Sequence, residues 1–112
     1  MSASPKYTEA EMQQIWEIAS QKGEAAAVAE YEKRGDHDAC GFAWVVVRPG
    51  NSRFAKWLKK NSYASAHYNG GVSVWCSFGG TQSMNLREAK ASAIAEVFQY
   101  YGFNAYAGSR MD

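Results

Sequence analysis

The chain has 112 residues, 46% of them apolar and 14% aromatic, and a net charge of +1. That length suits one domain able to bury a core without disulfide or metal staples. No apolar run approaches the ~20 residues a membrane helix needs, and the opening MSASPKYTEAEM holds no signal-peptide core. A soluble, cytoplasmic protein is therefore expected, with Cys40 and Cys76 as free thiols.

Residues 1–7 read as a flexible tail. Thr8-Glu9-Ala10-Glu11 is a capping box, in which a hydroxyl and the third-position Glu each take a backbone donor. Met12, Ile15, Trp16 and Ala19 follow at helical spacing, and Arg34-Gly35 is a helix stop. Gly23 leaves open whether this acidic helical region, 8–35, is one helix or two. Residues 41–47, GFAWVVV, form the clearest strand, ended by Pro49-Gly50. Ser52 can cap a short helix over 53–60 that Asn61 stops, burying Phe54, Trp57 and Leu58. Residues 63–71 read as a loop closing on Asn69-Gly70-Gly71. Residues 72–78 alternate, with Val72, Val74, Cys76 and Phe78 on one side and Ser73, Trp75 and Ser77 on the other. Gly79-Gly80-Thr81 is a turn. Asn85-Leu86-Arg87-Glu88 starts a slim, alanine-rich helix that Gly102 ends. Residues 103–107 read as a last strand and 108–112 as a tail. The expected fold is α+β: a three-stranded antiparallel sheet packed by helices, in the order α-β-α-β-α-β. Residues 40–108 form its α/β core.

The small net charge hides an asymmetry. Residues 1–38 carry −4, residues 39–87 carry +6, and residues 88–112 carry −1. The 49-residue middle holds no Asp or Glu. Such a segment points to an anionic partner or to the chain's own acidic part. Within it, Arg53, Lys56, Lys59 and Lys60 share one short helix and would repel one another without a counter-charge.

Aromatic side chains interleave with these bases: Phe42, Trp44, Phe54, Trp57, Tyr63, Tyr68, Trp75 and Phe78. Nucleobases stack on such rings while Arg and Lys hold phosphate. Phe42, Trp44, Phe54, Trp57 and Phe78 are expected in the core instead. Trp75 shares a face with two serines, so it is exposed if no helix covers that face. Tyr63 and Tyr68 are the next candidates. The glycine loops at 69–71 and 79–83 can offer backbone N–H groups to an anion or be simple turns; neither matches a Walker or dinucleotide fingerprint.

His37-x-x-Cys40 has ligand-like spacing, but His67 and Cys76 do not complete a standard second half, so no metal and no cofactor are expected. A Cys–His nucleophile pair lacks a third member. A carboxylate pair would require Asp36, Asp38, Glu88 and Asp112 to converge. A site joining His67, Arg87 and the Ser109-Arg110-Met111-Asp112 tail is the remaining enzymatic option, and the chain is expected not to be an enzyme.

The segments CGFAWV at 40–45, NGGV at 69–72, GTQSMNLREA at 80–89 and YAGSRMD at 106–112 resemble a group of small uncharacterised proteins encoded by tailed bacteriophages. The resemblance spans about two thirds of the chain and omits the N-terminal helix. It implies expression in the host bacterial cytoplasm and a role in host takeover or evasion of host defences, and it brings no activity and no catalytic residue. The leading expectation is a module that binds nucleic acid or a nucleotide. Arg48, Arg53, Lys56, Lys59, Lys60, Arg87 and Arg110 would hold phosphate, with Thr81 at the glycine loop and Trp75 or Tyr68 stacking. The alternative is a protein-interaction module that inhibits a host protein, or a homodimer pairing its acidic helix with its basic middle.

Overall fold

The computed structural model describes residues 6–35, 40–67, 70–77 and 83–111. Among these residues three helices lie against a four-stranded antiparallel sheet. In chain order the elements are α1 (Glu9–Arg34), β1 (Gly41–Arg48), α2 (Arg53–Lys60), β2 (Ser65–Ala66), β3 (Val72–Cys76), α3 (Met84–Tyr100) and β4 (Asn104–Met111). The strand order is β2-β3-β1-β4, every neighbouring pair antiparallel.

The helix signals nearest the N-terminus work as the sequence predicts. Thr8 Oγ1 accepts from the Glu11 amide while Glu11 accepts from the Thr8 amide, and Gly35, at φ 72°, closes α1 onto the Tyr31 carbonyl. Gly23 sits inside one continuous helix. A Cβ there would come within 2.8 Å of Ile94 Cγ1, so the glycine is what lets α1 lie close along α3. Met12, Ile15, Ala19, Gly23 and Ala27 make the buried stripe of α1. Ser52 caps α2 at the Ala55 amide, and the Asn61 side chain donates back to the Trp57 carbonyl.

Several expectations are corrected. The sheet has four strands, because Ser65–Ala66 pairs with β3 instead of belonging to a loop. β4 runs to Met111 and pairs with β1 along its whole length, so 108–111 are strand, not tail. Tyr7 is anchored: its hydroxyl donates to the Tyr101 carbonyl at 2.8 Å, and its ring meets Tyr101 and Phe103 edge-on. α3 is capped at Ser83, two residues before Asn85, and the Asn85 side chain bonds Glu30 of α1 instead. Phe78, the turn at 79–82, and Asp36, His37, Asp38 and Asp112 lie outside the described residues.

The core forms on one side of the sheet. Ala43, Val45 and Val47 of β1, Val72, Val74 and Cys76 of β3, and Ala105 of β4 point there. They meet Ala91, Ile94, Ala95 and Phe98 of α3 and Phe54, Ala55, Trp57 and Leu58 of α2. Phe54 stacks on Phe103 at 4.0 Å and meets Phe98 edge-on at 5.0 Å. Burying rings of this size contributes roughly 2–3 kcal/mol each. All three helices share this core, so among the described residues the opposite face of the sheet has no helix over it. Among the described residues no helix is long and apolar enough to cross a membrane.

Candidate functional site

Strand alternation decides what the helix-free face presents. From β1 come Phe42, Trp44, Val46 and Arg48; from β3, Ser73 and Trp75; from β4, Tyr106, Gly108 and Arg110. Trp44 and Trp75 are directly cross-strand, with ring centres 5.1 Å apart and tilted by 50°. Phe42 meets Trp75 edge-on at 6.3 Å. On the other side of β1, Gly108 lies opposite Trp44. A Cβ on Gly108 would fall 2.7 Å from Trp44 Nε1 and 2.8 Å from Cε2, so the glycine lets the indole lie down on β4. Val46 is fully buried between these large neighbours, whereas Trp75 stays 56% exposed. The sequence reading places Phe42 and Trp44 in the core. The pairing puts them, half-buried, on the open face, because a continuous apolar strand has a second side, which no helix of the described residues covers.

Arginines lie over this aromatic surface. The Arg48 guanidinium is 5.5 Å from the Tyr106 ring centre; those of Arg110 and Arg87 are 5.6 and 5.7 Å from Phe42. Arg87 reaches Phe42 from α3 and also donates to the Gly41 carbonyl at 2.8 Å. A cation held over a ring is attracted by the ring's negative face, which helps to orient the side chain. No Asp or Glu is among the described residues that alternate onto this face.

A pocket of about 300 Å³ crosses the sheet here, lined by Trp44, Ala66, His67, Ser73, Trp75 and Arg110. His67 leaves the end of β2, where its amide donates to the Gly71 carbonyl and its carbonyl accepts from the Gly70 amide, each at 3.0 Å. Gly70 and Gly71 have φ of 92° and 81°, a conformation that a side chain would strain. The turn thus fixes His67 beside β3, and its Nδ1 shares a 2.6 Å hydrogen bond with Ser73 Oγ. The result is an aromatic-walled slot with a polar pair at one end and a guanidinium at the other.

The basic helix forms a second, separate surface on the helical side. Arg53, Lys56 and Lys60 line a cleft of about 190 Å³ with Glu9, Met12 and Trp57. Arg53 Nε donates to the Tyr7 carbonyl at 3.0 Å. Lys59 is exposed and lines neither pocket. The ion pairs among the described residues, Glu30–Arg34 and Glu24–Lys90, do not involve α2. One basic, aromatic middle therefore divides into two patches on opposite sides. Tyr68 and Thr81 lie outside the described residues. Tyr63 packs against the core, stacked on Trp16 at 4.3 Å.

Cys76 points into the core, and burial pushes its thiol up to about 11 against a weaker opposing pull from Lys90. It lies on the opposite face from His67, which excludes a Cys76–His67 nucleophile pair. Cys40 is exposed. Among the described residues no three metal-ligating side chains cluster. Ser109 turns to the helical side and donates to Glu88 at 2.5 Å, whereas Arg110 lines the same pocket as His67. No family model, curated protein or solved structure matches the chain.

Of the site, the sequence reading marks Trp75, Arg48, Arg87 and Arg110 and leaves out Phe42, Trp44, Tyr106, Ser73 and His67 as ligand contacts. The available signal was the even-numbered set Tyr106, Gly108 and Arg110, legible only once 104–111 is read as a strand.

Proposed function

We propose that this protein is a non-enzymatic binding module that takes a phosphate-bearing ligand, nucleic acid or nucleotide, on the open face of its sheet. The observation that supports this most is the pairing of an uncovered aromatic surface with guanidinium groups and no carboxylate among its described residues. Rings offer stacking to a base, and arginines offer charge and bidentate hydrogen bonds to phosphate. The resemblance to bacteriophage-encoded proteins would place that ligand inside an infected bacterium.

Fluorescence titration of the tryptophans with mixed-sequence oligonucleotides and with free nucleotides tests this. The expected result is quenching that saturates and an affinity that falls steeply with salt. Absence of binding to every oligonucleotide and nucleotide, or a flat salt dependence, would overturn it.

A second reading, a protein-interaction or self-association module, has its own observation. α1 and α3 leave a groove of about 490 Å³ lined by Ile18, Lys22, Ala93, Glu96, Val97, Tyr100 and Tyr101, in which Tyr100 is 83% exposed. Exposed apolar side chains around a groove are a feature of protein contact sites. Sedimentation showing a dimer that Tyr100→Glu dissociates would favour that reading; a monomer at all concentrations would remove its self-association form.

A further inference from the structure

We propose that the pocket between Trp44, Trp75, His67, Ser73 and Arg110 receives one unpaired base, and that the ligand of this face is single-stranded nucleic acid, not duplex and not a free nucleotide. The inference rests on the reading of the open face as a phosphate-ligand surface.

Size and chemistry of the slot come first. At about 300 Å³ it lies at the small end of ligand pockets, suited to one base and its sugar. Its walls are indoles, which stack on any base. At one end the His67 ring, held by its Nδ1 bond to buried Ser73 Oγ, lines the pocket where a base edge would lie. At the other end Arg110 lines the same pocket and can meet a backbone phosphate.

The arrangement of rings along the sheet then selects the form of the polymer. Trp44 lies opposite Gly108 and Val46 lies opposite Tyr106, so the Tyr106 ring stands two residues along the strand from the tryptophan row. That is about 7 Å, roughly twice the ~3.4 Å between stacked bases in a helix. Tyr106, 40% exposed and flanked by Arg48, makes a second stacking station. A strand using both stations must have its bases splayed apart, which an unpaired strand does readily and a duplex does not. In a duplex both faces of each base are already covered, so it would meet arginines alone. A mononucleotide would fill one station and leave the other bare.

The test compares labelled ten-residue single-stranded DNA and RNA with the matching duplexes and with mononucleotides, by fluorescence anisotropy and competition at one ionic strength. Single strands are expected to bind at least tenfold more tightly than duplexes or mononucleotides, and the DNA and RNA arms identify which polymer is preferred. Trp75→Ala, at an exposed site, should weaken single-strand binding by about 5- to 150-fold, the range for one lost base stack, with folding checked by circular dichroism. His67→Ala should change the ranking among homopolymers, a readout that a purely structural role would not move. Equal affinity for duplex, equal affinity for a mononucleotide, or no effect of Trp75→Ala overturns this inference. If Arg110→Ala still weakens binding in those cases, the broader reading of the face stands; if no polymer or nucleotide binds, both fall.

Discussion

The open face depends on one residue with no side chain. Gly108 is where the Trp44 indole rests, and a methyl group would collide with it at 2.7 Å. Trp44 is only half-buried and has solvent to move into. Gly108→Ala should therefore cost little stability while lifting the indole out of the slot and weakening single-strand binding on the order of tenfold. Denaturation and binding measured on the same variant check both halves. Cys76 illustrates the opposite environment. Its thiol titrates at about 11 in the folded state, against 9.0 as the reference value, because burial disfavours the thiolate. Below pH 9 both folded and unfolded chains keep the proton. Between 9 and 11 the unfolded chain loses it first, so this residue's contribution to stability drains away as pH rises, by up to ~3 kcal/mol at ~1.4 kcal/mol per unit. Comparing wild type with Cys76→Ala by denaturation at pH 8, 9 and 10 should show the wild type falling more steeply. At pH 8 a thiol reagent should modify exposed Cys40 quickly and Cys76 only on unfolding.

At the scale of elements, the pairing of α1 with α3 carries a sharp prediction. In an isolated helix, replacing glycine by alanine stabilises by ~1 kcal/mol. At Gly23 the added methyl would meet Ile94 and Lys90 side-chain atoms at 2.8 to 3.0 Å, and Ile94 is buried with nowhere to go. Overpacking of that kind costs ~1–3 kcal/mol, so Gly23→Ala should be net destabilising and Gly23→Val more so, measured by chemical denaturation. The same comparison of local and tertiary signals explains what was legible in the sequence. α1 and α2 were readable because their caps are local: Thr8 with Glu11, Ser52 with Ala55. The alternation of β3 was readable because serines mark its outer side. β4 was readable only in its first half, because Gly108-Ser109-Arg110 has the composition of a tail and becomes strand through pairing with Trp44, Ala43 and Phe42. β2 is two residues held by β3 and a glycine turn, with no pattern of its own. The run 41–47 hid the most. Seven residues without a charge suggest burial on both sides, and nothing within them tells that one side stays open.

At the scale of the molecule, the acid-free middle segment, joined on the sheet side by Arg110 of β4, supplies two positive surfaces that the fold separates. Arg53, Lys56 and Lys60 stand beside Glu9 on the helical side, while Arg48 and Arg110 lie over rings on the sheet side. Only the second places charge next to exposed aromatic faces, so only the second should contribute to binding that depends on stacking. Salt dependence separates them quantitatively. For a single strand the logarithm of affinity falls with the logarithm of salt at about −0.7 per phosphate neutralised. Arg110→Ala should reduce the slope by about 0.7. Lys56→Ala with Lys60→Ala should leave both slope and sensitivity to Trp75→Ala unchanged. If the lysine pair instead flattens the salt dependence and Trp75→Ala has no effect, the phosphate is held on α2, and the aromatic face is a surface for something other than a nucleic acid.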